Sequence, residues 1–186
     1  MHGMAIVAAL MLATAPQPAA RTGPQLPYFD WGACPLEGCT YQKWQASRPV
    51  TVWAHRDRKS PVAYGVRTGE WVEALTGVVI TYDRGVSKVL APLTLGQGAS
   101  VAVVPGDILW ILHYGGEDYD LFWFKGKTYE DQIASDKPDP DPPPPELKIQ
   151  VISRPRSVWW VKVKNSKGQV GWTDQARNVS HVSVLE

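Results

Sequence analysis

Hydrophobic and polar residues alternate with a period of two over several stretches of this chain, the pattern of strands that bury one face. The clearest stretch is 159–172. Trp159, Val161 and Val163 fall on one side, and Trp160, Lys162 and Lys164 on the other. Asn165-Ser166-Lys167-Gly168 is a turn signal and a second strand follows at 169–173, so a β-hairpin is predicted. Upstream, 40–44, 50–54, 62–66 and 70–75 read as strands, separated by polar turns at 56–60 and 67–69 and ended by Thr76-Gly77. Residues 78–82 read as a largely apolar strand, and 108–112 are apolar on both faces. The second of these is expected to be a central strand covered on both sides. Turns are expected at 96–100 and 115–118, and a strand at 121–125. No window carries a sustained helical period. Short strands punctuated by turns predict an all-β chain, a sandwich or small barrel.

Two of these strand entries match. Gly69-Glu70-Trp71-Val72-Glu73-Ala74-Leu75 aligns with Gly106-Asp107-Ile108-Leu109-Trp110-Ile111-Leu112. Each is followed by an aromatic hairpin, 122–127 for one and 159–172 for the other, which suggests two related β-modules. A Pro- and Asp-rich segment at 133–147 breaks the pattern and is expected to be a solvated, polyproline-like linker. The tail after it is too short to bury a core alone without a cross-link or metal. Residues 49–77 have opening strands and no closing hairpin. One arrangement solves both problems: 40–77 and 148–186 form a single discontinuous barrel, with 78–132 inserted as a second β-module. The other is two modules in tandem. Pairing of the strand at 157–164 with 49–77 or with 100–130 distinguishes them.

The quoted residues resemble the bacterial SH3-like (SH3b) domain. The resemblance rests on Gly69-Glu70-x-Val72-x-x-Leu75, Trp159-Trp160-Val161-Lys162-Val163 and the closing Gly168-Gln169-Val170-Gly171-Trp172. It covers the two outer pieces and is interrupted by the long insertion. The segment from Trp31 to Trp44 is similar to segments of exported bacterial SH3-like proteins. The resemblance implies a small, partly open β-barrel and binding work at the cell envelope, on peptidoglycan or a peptide, without catalysis.

Residues 4–15 form an apolar run followed by small residues, which reads as a secretory signal peptide within 1–20. It is too short to span a bilayer, so the mature protein is expected to be periplasmic or secreted and not membrane-spanning. Cys34 and Cys39 lie within the N-terminal segment 21–39, in a short loop with Pro35 and Gly38. In an oxidising compartment they read as a disulfide, and in a reducing one as free thiols. Net charge is +1 with the signs interspersed, unlike the basic footprint of a nucleic-acid binder. Nine tryptophans supply either core or ligand-stacking surface.

Catalytic chemistry finds little support. A Cys/His hydrolase needs a free thiol, and both cysteines share one tight loop. His2, His55, His113 and His181 are scattered and lack metal-ligand spacing. Glu117, Asp118 and Asp120 sit at a predicted turn, where an acidic hairpin tip is the plainer reading than a glycosidase pair. The expectation is a non-catalytic protein without cofactor or metal. Trp160 flanked by Lys162 and Lys164 is the first ligand candidate, a flat face beside cations suited to a sugar or an acidic peptide. The competing reading covers Trp160 with the linker or the inserted module. Trp71 and Tyr64 are further groove candidates, and Trp172 is expected to close the core. A second reading makes the protein a structural interaction unit for another envelope protein.

Overall fold

The computed structural model describes residues 23–132 and 137–180. The expected signal peptide, residues 133–136 of the linker, His2 and His181 lie outside the described residues. The chain is all-β. Five strands come first: β1 (Tyr28–Trp31), β2 (Lys43–Ala46), β3 (Val50–Trp53), β4 (Val62–Val66) and the long β5 (Trp71–Asp83). Next are β6 (Gly85–Val89), β7 (Leu93–Leu95), β8 (Val101–Val103), β9 (Ile108–Gly116), β10 (Tyr119–Phe124) and β11 (Lys127–Gln132). The chain returns through β12 (Ile149–Ser153), β13 (Arg156–Asn165), β14 (Val170–Thr173), a 3-10 turn at Ala176–Asn178, and β15 (Val179–Ser180).

The first sheet runs β15-β2-β5-β13-β14-β3-β4, with β1 also on β5. The second runs β11-β10-β9-β6-β12, and β7-β8 form a separate hairpin. The strand at 157–164 therefore lies in β13 and pairs with β5, while β14 meets β3. The hairpin itself forms as its sequence predicts. Asn165 Oδ1 accepts from the Lys167 and Gln169 amides, and Gly168 takes the left-handed conformation at φ 79°.

Two expected boundaries move. β5 runs through the junction placed at 77/78, because Gly77 is not a turn residue. A Cβ there would stand 2.6 Å from Trp159 Nε1 and closer still to the Tyr41 hydroxyl, so glycine serves close packing inside a strand. The register also shifts at Leu75, where Lys162 faces Thr76 and Val163 faces Ala74. β12, expected in the closing piece, pairs instead with β6 of the second sheet. The Pro-rich segment is anchored along this strand: Asp139 accepts from the Val151 amide at 2.6 Å and donates to the Val151 carbonyl at 2.7 Å. The contact covers an open strand edge, a device against edge-to-edge association.

The matching strand entries share one geometry. At the first, the Glu70 amide donates to the Arg67 carbonyl, and the Glu70 carboxylate accepts from the Arg67 amide at 2.8 Å. At the second, Asp107 and Val104 repeat both bonds. Each unit docks on an earlier strand in the same way. Gly69 donates to Ala46 and Gly106 to Val89, and the Ala46 and Val89 amides donate back to Glu70 and Asp107. Order follows too: β2, β3–β4, β5 and the β13–β14 hairpin correspond to β6, β7–β8, β9 and the β10–β11 hairpin.

The first core gathers Trp44, Val52, Val66, Val72, Ala74, Val161, Val163 and Val179 from β2, β3, β4, β5, β13 and β15. Side chains from strands far apart in the sheet meet in one cluster, so the sheet curls upon itself. The second core holds Val89, Leu95, Leu109, Ile111, Phe122 and Val151. β9 lies between β6 and β10 as expected, but it is not covered on both sides throughout, since Ile108 is 37 % exposed and Trp110 half-buried. Polar bonds join the two sheets. Thr81 Oγ1 donates to the Leu112 carbonyl and His113 Nε2 lies 2.8 Å from Asp30 Oδ2. Arg154, in the link from β12 to β13, grips Asp120 of β10 through both terminal guanidinium nitrogens.

Cys34 and Cys39 are cross-linked, with Cα atoms 5.6 Å apart. Their loop rests on the β9–β10 turn, where a Cβ on Gly116 would come within 3.3 Å of the Leu36 backbone. Closing so short a loop restricts the unfolded chain by only about 2 kcal/mol. Reduction is therefore expected to lower the urea midpoint modestly with an unchanged slope. An unchanged midpoint would mean that packing alone holds the loop.

Candidate functional site

Trp160 is not an exposed platform. It is 4 % exposed and packs among Trp53, Val78 and Ile80, its ring edge-on to Trp53 at 5.9 Å. The outer face of the sheet carries its own apolar cluster, because the cross-strand neighbours of Trp160 there are themselves apolar. Trp159, Val161 and Val163 point to the first core, as alternation predicts. Trp172 is displaced from that core. Gly171 and Thr173 face inward, and Trp172 lies half-buried on the outer face opposite Trp53.

The remaining candidates separate into two places. Lys164 reaches Glu73 at 2.5 Å across the β5–β13 ladder, and Trp71, 44 % exposed, stands beside them. With Lys43 and Gly168 they line a shallow depression of about 670 Å³. Trp71 and Tyr64 also border the adjoining hollow beside the Asn165 turn. The Tyr64 hydroxyl donates to the Val163 carbonyl at 3.0 Å, and burial pushes its pKa up to about 12. It therefore stays a neutral donor. Lys162 lies elsewhere, its Nζ 6.0 Å from the centre of the Trp172 ring.

That second place holds the most unusual grouping of the molecule. The Arg56 guanidinium lies over three aromatic rings: Trp31 at 4.7 Å, Trp172 at 5.2 Å and Phe29 at 5.8 Å. Alternation along β1 explains the outward rings. Asp30 turns toward His113, so Phe29 and Trp31 turn the other way. Their planes differ by 15° with centroids 6.4 Å apart, and they remain 41 % and 59 % exposed.

Arg56 also lines a cleft of about 840 Å³, together with Asp57, Arg58, Tyr82, Tyr114, Trp160 and Asp174. Among the described residues, three buried side-chain atoms have no hydrogen-bond partner: Arg56 Nη1, Trp160 Nε1 and Asp174 Oδ1. All three belong to residues of this cleft. Leaving a buried polar atom unpaired costs about 1–3 kcal/mol, so the region holds unspent hydrogen-bonding capacity of two donors and one acceptor. The other Asp174 oxygen is held at 2.6 Å by Arg58, whose side chain is 68 % exposed.

By sequence Arg56 falls in a polar turn, and neither Phe29 nor Asp174 stands out as a site residue. The one local signal was the alternation of Phe29 and Trp31 around Asp30. The corresponding places in the second unit differ. By the matched registers Glu130 stands where Trp172 does, and the short turn between β7 and β8 replaces the Arg56 loop. The Arg–aromatic grouping is thus an addition to the shared framework.

The three carboxylates considered for catalysis do not converge. Glu117 and Asp118 are exposed at the β9–β10 tip, both with left-handed backbone, while Asp120 is buried against Arg154. Set against known proteins, the chain matches no family model, no curated protein and no solved structure.

Proposed function

We propose that this protein is a non-catalytic, exported, SH3b-like binding module of the bacterial cell envelope, holding peptidoglycan or an envelope peptide on exposed aromatics. The observation that carries the reading is the cleft beside Phe29, Trp31 and Trp172, where Arg56, Trp160 and Asp174 keep unpaired polar atoms. Binding sites combine apolar walls with a few polar groups, and this surface offers aromatic rings beside unpaired polar atoms. Export is supported by the Cys34–Cys39 cross-link, which belongs to oxidising compartments. Trp160 enters as a hydrogen-bond donor in place of the stacking surface first expected.

A second reading, docking of another envelope protein, is favoured by Trp71, Leu75 and Val170, which are exposed on β5 and β14. Co-sedimentation with purified sacculi decides between the two surfaces. The protein is expected to pellet with the wall, and Trp31→Ala to reduce the bound fraction while Trp71→Ala leaves it unchanged. Absence of wild-type protein from the pellet would remove wall binding altogether.

A further inference from the structure

Resting on the wall-binding reading, we infer that the Phe29–Trp31 surface and its cleft take the glycan chain of N-acetylated sugars, not its peptide branches. Phe29 and Trp31 form a two-ring platform on an extended strand, their planes parallel to within 15°. Arg56 lies against both rings and fixes them, while their remaining exposure leaves ring surface open to a ligand. Exposed aromatic ring surface suits the C–H face of a pyranose ring.

The surroundings favour a hydroxyl-rich occupant. Arg56, Asp57 and Arg58 border the cleft. An apolar protein surface laid over them would strand their charges, at a desolvation cost. A saccharide chain carries donors and acceptors along its whole length and pairs with them. The cleft adds a more specific demand. Arg56 Nη1 and Trp160 Nε1 are donors and Asp174 Oδ1 is an acceptor, all without partners. An acetamido group offers one carbonyl and one N–H, the complement of such a set, and it projects from a sugar ring that stacks on the adjoining platform.

As the side chains stand, these three atoms are closed to solvent. Arg58 is the side chain that must move, since it is exposed and holds the second oxygen of Asp174. Binding therefore exchanges the Arg58–Asp174 contact for one with the ligand. In the second unit Glu130 stands in place of Trp172, which Arg56 also contacts.

Titration of the whole protein by calorimetry tests the inference, with three probes in parallel: a β-1,4-linked N-acetylglucosamine hexamer, cellohexaose and a stem pentapeptide. The N-acetylated hexamer is expected to bind, cellohexaose about tenfold more weakly or not at all, and the peptide not at all. Trp31→Ala, at an exposed position outside the core, is expected to weaken hexamer binding by about tenfold or more. Binding of the peptide alone, or hexamer binding untouched by Trp31→Ala, would overturn the inference. Retention on sacculi with a silent hexamer titration would overturn it while leaving the wall-binding reading in place. Silence in both experiments would remove both.

Discussion

Arg154→Met is expected to destabilise the protein by about 3–5 kcal/mol at neutral pH, because it leaves a buried carboxylate without its partner. Asp120 is 2 % exposed, and Arg154 donates to its two oxygens at 2.5 and 2.8 Å. The pair also ties the chain leaving β12 to β10 of the second sheet. Burial pushes the Asp120 carboxyl above the ordinary aspartate range, and the Arg154 hydrogen bonds and charge, with a smaller contribution from His113, pull it back only in part.

The sign of the pH dependence follows. The folded state holds the Asp120 proton more tightly than the unfolded chain does, so its contribution to stability is fully present below the ordinary aspartate range. It is lost as pH rises through the raised folded value. The wild type is expected to show this decline, and Asp120→Asn to flatten it. In Arg154→Met the folded value moves further up, so the deficit is smallest in acid and reaches its full size near neutrality. Urea unfolding at several pH values measures both. A deficit that does not change with pH would mean that Asp120 keeps another partner.

Trp44→Ala is the second large effect, expected to cost about 3–5 kcal/mol. Trp44 is 0 % exposed at the centre of the curled first sheet. Its ring packs edge-on against Trp159 at 6.1 Å and tilted against Tyr41 at 5.9 Å, and its Nε1 donates to the Thr40 carbonyl. These neighbours belong to β13 and to the segment leading into β2, both on β5, so a cavity here loosens both sides of the longest strand. Trp44→Phe keeps most of the apolar area and loses the hydrogen bond, and is expected to cost much less than alanine. Equal losses for the two variants in urea unfolding would place the weight on the Nε1 bond instead of on packing.

Local pattern carried the strands because a half-buried strand writes its burial into its own sequence. The closing hairpin, β4, and the central position of β9 followed from alternation, turn residues and an unbroken apolar run. The matched Gly-acid entries also recurred as one turn geometry, since glycine supplies the left-handed step and the acid caps the amide behind it. Gly77 misled for a physical reason. A glycine that ends a strand and one that admits two aromatic groups look alike until the partners, Tyr41 and Trp159, are in place. Trp160 misled likewise, because alternation assigns a residue to a face and is silent on what lies over that face.

By itself, then, the sequence determined an all-β chain, the strands and their turns, a Cys34–Cys39 loop able to cross-link, and the inward set of Trp159, Val161 and Val163. These depend on residues close together along the chain. Tertiary structure alone decided the burial of Trp160 under Trp53 and Ile80, the anchoring of the Pro-rich segment on Val151, and the meeting of Phe29, Arg56, Trp172 and Asp174. Those residues come from β1, the loop after β3, and β14 with the residue after it. Their chemistry is set by the curl of the first sheet, which brings around Arg56 and its cleft side chains that no local pattern relates.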